Sequence, residues 1–280
     1  MIEEDFTLRY ANRSQLRCTL RLPTGRGPFR LVILAHGFRG FKDWGFFPYL
    51  SESLCQSGFA VLAFNHSRCG ISENPFQITD LDQLSQSSTT AELNDWDLLM
   101  DSLLRGDFPH SNQAKLYSMG IVGHSRGGSY GILMASRYRQ IRAVVTWGAI
   151  QTFQRFSLET RQRWREQGYL EIEGTDSEKG VRLRLTALSA LEKNQDRLDV
   201  PRAMRELSIP VLLLHGRKDR VVYLSEGQKL WQSADQRLSR FHIIEDGGHT
   251  FRTPHPLLHP SPALSEAIAE TITWMQKKLP

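Results

Sequence analysis

Cysteine is scarce in this chain. Cys18, Cys55 and Cys69 are the only three among 280 residues, odd in number and without metal-ligand spacing, so neither a disulfide framework nor a thiolate metal site is expected. Long apolar runs are missing as well. Strings such as Leu31-Val32-Ile33-Leu34-Ala35 fall far short of the roughly 20 residues that a membrane helix requires. The N-terminus reads Met1-Ile2-Glu3-Glu4-Asp5, acidic where a signal peptide would be basic and then apolar. A cytoplasmic protein with reduced thiols and no membrane insertion is the expectation. No G-x-G-x-x-G or Walker sequence appears, and no histidine cluster has metal-like spacing, so no cofactor and no metal are expected. Charge of one sign does not accumulate either. The net +5 is 35 Lys and Arg less 30 Asp and Glu, and the densest basic group, Arg161-Gln162-Arg163-Trp164-Arg165, is followed at once by Glu166. That reads as a solvated helix face and argues against a nucleic-acid partner. A mild positive potential still favours anionic substrates.

What remains is a globular composition. With 40% hydrophobic and 23% charged residues, the chain is neither disordered nor collagen-like. Its length suits one large α/β domain, and the sequence leaves a homodimer open.

Short apolar runs alternate with helical patterns. Strands are predicted at 16–22, 31–36, 60–65, 119–123, 143–147, 211–215 and 241–244, several as continuous Val/Ile/Leu of the kind buried on both faces. Thr89-Thr90-Ala91-Glu92 reads as a capping box opening a helix that carries Leu93, Trp96, Met100 and Leu103 and stops at Gly106. A last helix is predicted over 263–278. Strand, helix, strand in succession implies a parallel sheet with right-handed crossovers.

The rhythm breaks between 149 and 209. A helix over 153–167, alternation at 169–173 and 181–185 around a polar turn at 174–180, and a helical segment over 187–205 predict helix, hairpin, helix. A lone hairpin is marginal in water. The segment is therefore expected as an insertion on a core formed by 1–148 and 210–280.

The strongest chemical signal is Gly123-His124-Ser125-Arg126-Gly127-Gly128, after an apolar run and before a helical pattern. A G-x-S-x-G turn in that setting exposes its serine as a nucleophile, and the glycines remove Cβ atoms that would collide in so tight a bend. A serine hydroxyl needs an oriented base. Asp219, just beyond the run 211–216, and His249, in Gly247-Gly248-His249-Thr250-Phe251, follow Ser125 in the order Ser, acid, His. Glu245 and Asp246 are rival acids, too close in sequence to His249 for an easy third-member geometry. An oxyanion needs two donors. The backbone N–H groups of Arg126, after the nucleophile, and of Phe38, in the turn after 31–36, are the candidates. His36 and His124 flank these motifs and read as holding loops by hydrogen bonds. Phe153, Phe156, Trp164 and Tyr169 of the insertion are candidates to cover Ser125, with Trp147 and Phe251 at the sheet edge.

His36-Gly37-Phe38, the turn around Ser125, Asp219 after a strand and Gly248-His249 together resemble the α/β-hydrolase superfamily, over nearly the whole chain. The segments 36–47 (HGFRGFKDWGFF), 123–128 (GHSRGG), Trp164-Arg165-Glu166 with Gly168, and 247–251 (GGHTF) are similar to bacterial dienelactone-hydrolase-related and cinnamoyl (feruloyl) esterase-like serine hydrolases. The resemblance implies an α/β-hydrolase fold: a mostly parallel central sheet, helices on both faces, and an inserted lid over Ser125. It also implies cleavage of small carboxylic esters through an acyl-enzyme. There are departures. Dienelactone hydrolase proper uses a Cys nucleophile, and cinnamoyl esterases often carry Gln where this chain has Arg126. The Arg126 side chain has two readings, a salt bridge to a carboxylate or a substrate contact. Rival functions are a thioesterase or small-peptide hydrolase on the same triad, or a non-catalytic ligand-binding homologue. A complete Ser, Asp and His set argues against the last, because a receptor needs a cavity and no proton relay.

Overall fold

The apolar runs of the sequence become strands of one eight-stranded sheet. A computed structural model describes residues 1–9, 15–174 and 180–280. The first half of the chain runs β1 (Ile2–Arg9), β2 (Gln15–Leu22), β3 (Phe29–Ala35), α1 (Phe47–Gln56), β4 (Ala60–Phe64), α2 (Leu81–Ser85), α3 (Thr89–Arg105), β5 (Ala114–His124), α4 (Arg126–Arg137) and β6 (Ile141–Trp147). Next come α5 (Leu158–Gln167), β7 (Tyr169–Ile172), β8 (Val181–Arg184), α6 (Leu185–Lys193) and α7 (Val200–Glu206). The chain then returns to the sheet with β9 (Val211–Gly216), α8 (Leu224–Ser233), β10 (Arg240–Ile244) and α9 (Pro262–Lys278).

The strand order is β1-β2-β4-β3-β5-β6-β9-β10, antiparallel across β1–β2 and β2–β4 and parallel from β4 onward. Alternate residues of the parallel strands feed two cores. Leu31, Ile33 and Ile121 pack with Trp96 of α3 and Ile132 of α4, while Val32, Leu34 and Val122 pack with Leu50 of α1 and Met275 of α9. Both faces are dry, which is why these strands read as unbroken apolar runs. From β3 the chain steps outward to β4; β5 lies on β3's other side. At such a switch point the loops after the two strands part, leaving a crevice at their carboxyl ends.

Two expectations need correction, and one strand, β1, has no counterpart among those predicted. β1 carries no apolar run: Glu3 and Asp5 are exposed, as suits an edge strand blunted by charge. Thr89 does not cap α3. Ser88 does, its hydroxyl accepting from the Ala91 N–H, and Glu92 turns inward. The expected helix over 187–205 is two helices: α6 ends at the Asn194 cap, and α7 starts at Val200 with Pro201, which has no N–H to donate, in its first turn.

In the segment 149–209, helix α5 is shorter than expected and starts after the Ser157 cap. The hairpin forms, pairing Tyr169 with Arg184 through Ile172 with Val181. Residues 175–179 of the expected polar turn lie outside the described residues. Val200 and Met204 of α7 join the cluster that holds Tyr130 and Met134 of α4, so this end of the segment is part of the main core. No described helix is long and apolar enough to cross a membrane, and the three cysteines are free and buried.

Candidate active site

Ser125 stands between β5 and α4 with φ +55°, a conformation unfavourable for a side-chain-bearing residue. The glycines on either side of it admit no side chain. A Cβ on Gly123 would lie 2.3 Å from the Gly127 carbonyl oxygen, and one on Gly127 would lie 2.3 Å from the Ala35 carbonyl oxygen. The turn is thus wedged against the end of β3. The Ser125 N–H donates to the Trp147 carbonyl at 2.7 Å, tying the turn to β6 as well.

Asp219 and His249 meet across the ends of β9 and β10. Asp219 Oδ2 lies 2.8 Å from His249 Nδ1, and Oδ1 accepts the N–H groups of Val221 and Val222, both at 2.9 Å. Burial pushes the Asp219 carboxyl up. The hydrogen bond and charge interaction with His249 and the two backbone donors outweigh it, leaving the carboxyl below its ordinary value. An acceptor on Nδ1 favours the imidazole tautomer with its proton there and a free lone pair on Nε2. The pair sits close to the serine turn: an ideal Cβ on Gly148, next to the carbonyl that holds Ser125, would lie 3.1 Å from Asp219 Oδ2 and 3.4 Å from His249 Nδ1. The ring of His124, the residue before Ser125, is 4.6 Å from that of His249. Glu245 and Asp246 point elsewhere, pairing at the surface with Arg217 and Lys218.

The loop after β3 borders Ser125. A Cβ on Gly37 would lie 3.0 Å from Ser125 Cβ and 3.4 Å from its Oγ. Gly37 opens a turn closed by Gly40 N–H to Gly37 carbonyl at 3.0 Å, which leaves the intervening Phe38 N–H unused by the turn. The Arg126 N–H is in the first turn of α4, among the donors without an intrahelical acceptor.

The Arg126 side chain donates from Nη1 to Glu92 Oε1 at 2.9 Å. Glu92 is buried, and its other oxygen accepts the Tyr130 hydroxyl at 2.8 Å. Sequence reasoning missed Glu92 here because its spacing from Thr89 imitates a cap.

The aromatic candidates divide differently from the expectation. Trp147 and Phe251 are wholly buried, packed edge to face at 5.2 Å, and the Trp147 indole donates to Thr271. Both belong to the core, and neither faces a cleft. Phe153 is likewise core, against Tyr130 at 5.0 Å. Trp164 is the buried hub of the insertion, packed with Leu183 and Leu188, with Phe156 on its edge at 5.2 Å. Tyr169 lines an open cavity of about 650 Å³ between the hairpin and α2, which contains none of Ser125, Asp219 and His249. Phe38 is the link: its side chain packs into the same cluster as Trp164, and Arg39 Nη1 donates to the Glu173 carbonyl at 3.0 Å. The insertion therefore rests on the loop beside Ser125. Among the described residues no group of three or more His, Cys, Asp or Glu is arranged to hold a metal ion.

The family model described as "Alpha/beta hydrolase family" matches residues 32–267. Among solved structures, the esterase domain of a Rhodothermus marinus protein aligns with TM-score 0.64 at 18% identity over 99% of both chains. Est1E from Butyrivibrio proteoclasticus, in its ferulic-acid-bound form, gives TM-score 0.70 at 17% identity over 98% of both. Dienelactone hydrolase from Anabaena variabilis gives 0.61 at 18% identity over 100% of this chain and 99% of that one. At these identities the likeness speaks for the fold alone. Among curated proteins none matches the chain.

Proposed function

This chain belongs to the alpha/beta hydrolase family, and from that premise we propose that it is a serine hydrolase of small carboxylic esters, with Ser125 as nucleophile, His249 as base and Asp219 as the acid that orients it. The observation that carries the reading is the 2.8 Å Asp219–His249 bond beside a serine kept at positive φ. In this account His249 takes the Ser125 proton as Oγ attacks the ester carbonyl. The N–H groups of Phe38 and Arg126 receive the oxyanion. Asp219 stabilises the imidazolium, which then protonates the departing alcohol, and water repeats the cycle to release the acid.

Within the segment 149–209, the part built around Trp164, from α5 through the β7–β8 hairpin, serves as a lid, while its α7 end belongs to the core of 1–148 and 210–280. The lid's packing on Phe38 supports this assignment, because its movement would be felt at the oxyanion loop. The structural likeness to Est1E, crystallised with ferulic acid, favours including aryl esters among the substrates tried.

The test is hydrolysis of an ester panel varying in acyl length and aryl group. Wild-type protein is expected to turn over at least one member, and Ser125→Ala to lose about four to six powers of ten in kcat. Ester hydrolysis undiminished in folded Ser125→Ala would overturn the assignment.

A further inference from the structure

Three strands that lead to this site carry a histidine at their ends that the proposed reaction does not use: His36 directly after β3, His124 closing β5 and His215 in β9. All three are buried, exposed by only 4%, 8% and 1%. Each aims one ring nitrogen at a backbone carbonyl, and that of His215 also lies 3.6 Å from Asp219 Oδ2. His36 Nδ1 is 2.8 Å from the Gly37 oxygen, His124 Nε2 is 2.9 Å from the His249 oxygen, and His215 Nε2 is 2.8 Å from the Val222 oxygen. Those carbonyls belong to three different parts of the site.

We propose that His36, His124 and His215 are positioning residues, each fixing through one ring N–H the backbone that presents, in turn, the Phe38 N–H, the His249 imidazole and the Asp219 carboxylate. The inference rests on the hydrolase reading above and extends it to residues outside the triad.

The hydrogen-bond partners dictate the tautomers. A carbonyl oxygen only accepts, so the nitrogen facing it carries the proton. At His36 the other nitrogen, Nε2, accepts the His66 backbone N–H at 3.1 Å, so that ring is held neutral with its proton on Nδ1. The Gly37 carbonyl and the Phe38 N–H share one planar trans peptide. Gripping the oxygen, from His36 and from the Gly40 N–H together, sets the direction of the N–H at the opposite side and polarises it as a donor. At His124 the grip falls on the main chain of the base itself. At His215 it falls on Val222, whose own N–H donates to Asp219 Oδ1, so the acid's loop is held from both ends of one residue. Burial pushes His36 and His124 down to about 3 and also lowers His215. Neutral rings here spare the imidazolium formed at His249 a second positive charge beside it.

A packing role would need the ring's shape; a positioning role needs one particular nitrogen. Asparagine places an amide N–H near the ring Nδ1 position and glutamine places one near Nε2. The experiment compares Asn and Gln at each of the three positions, with kcat and KM measured on the best wild-type ester and folding checked by circular dichroism. At residue 36, His36→Asn is expected to keep about tenfold or more kcat over His36→Gln, although it melts below wild type for want of an acceptor for the His66 N–H. At residues 124 and 215 the order reverses, with KM moving less than about threefold throughout.

The same preference at all three positions, equal loss in both variants, or a loss carried by KM overturns the inference. If neither variant folds at some position, ring nitrogen NMR of the wild type decides at neutral pH. Protons on Nδ1 of His36 and on Nε2 of His124 and His215 support it, and any opposite tautomer overturns it. An active wild type with uncrossed variants defeats this inference alone. A wild type that hydrolyses no ester defeats the hydrolase reading and this inference with it.

Discussion

The guanidinium carbon of Arg126 lies 4.7 Å from the centre of the Phe38 ring. The two residues proposed to supply the oxyanion donors are thus stacked on each other through their side chains, and the buried Glu92 anchors the stack from behind. The salt bridge, one of the two readings of Arg126 left by the sequence, is thus formed.

Arg126→Ala therefore separates stability from chemistry. Removing the cation strands a buried carboxylate whose remaining side-chain partner is the Tyr130 hydroxyl, and the loss of a buried partner costs about 3 kcal/mol. Only the backbone of residue 126 is asked to bind the oxyanion. A urea midpoint well below wild type with kcat within about tenfold is the expected result. A kcat collapse in a protein of unchanged stability would give the guanidinium a direct role.

Asp219→Asn removes the charge while keeping the side chain's size. The amide then favours the wrong imidazole tautomer, and kcat is expected to fall by about four powers of ten. Steady-state kinetics on the same ester panel reads this directly, and a fall of less than tenfold would move the acid's role elsewhere.

Acid should unfold this protein sooner than its carboxylates alone would require. Burial holds His36 and His124 at about 3, against 6.5 for the ordinary group. Between those values the unfolded chain binds protons that the folded chain refuses. The stabilisation is thus present above pH 6.5 and lost as the pH falls toward 3, by roughly 2 kcal/mol per histidine between pH 7 and pH 5. Asp219 acts in the same direction lower down, since its folded carboxyl sits below the unfolded value of 3.8 and its contribution disappears as the pH drops through the folded value. Urea midpoints at pH 7, 6 and 5 measure the slope, and a flat series would contradict it.

Gly127→Ala should abolish the fold locally or altogether, because its methyl would meet backbone, and no flexible side chain is there to yield. Soluble expression and a melting curve test it. A variant melting within about 2 °C of wild type would mean that the turn can relax.

The parallel strands were legible because burial on both faces forces continuous apolar runs such as Val211 to Leu214. Edge strand β1, half exposed and acidic, offers no such run. The Ser125 turn was legible because its glycines answer a local steric demand. The aromatic assignments were not, since Trp147 and Trp164 look alike in sequence whether they wall a cleft or fill a core, and both fill cores. Glu92 and His215 were missed for a related reason. Their partners, Arg126 and Val222, are set by tertiary packing and by a loop that no periodicity marks.

The central claim is that one hydroxyl, at residue 125, is activated by His249. Incubation with a fluorophosphonate followed by intact-mass measurement and peptide mapping tests it most directly. The expected result is a single adduct on Ser125, absent from Ser125→Ala and formed far more slowly by His249→Ala. Labelling that maps to another residue, or that is as fast in folded His249→Ala as in wild type, would contradict the account.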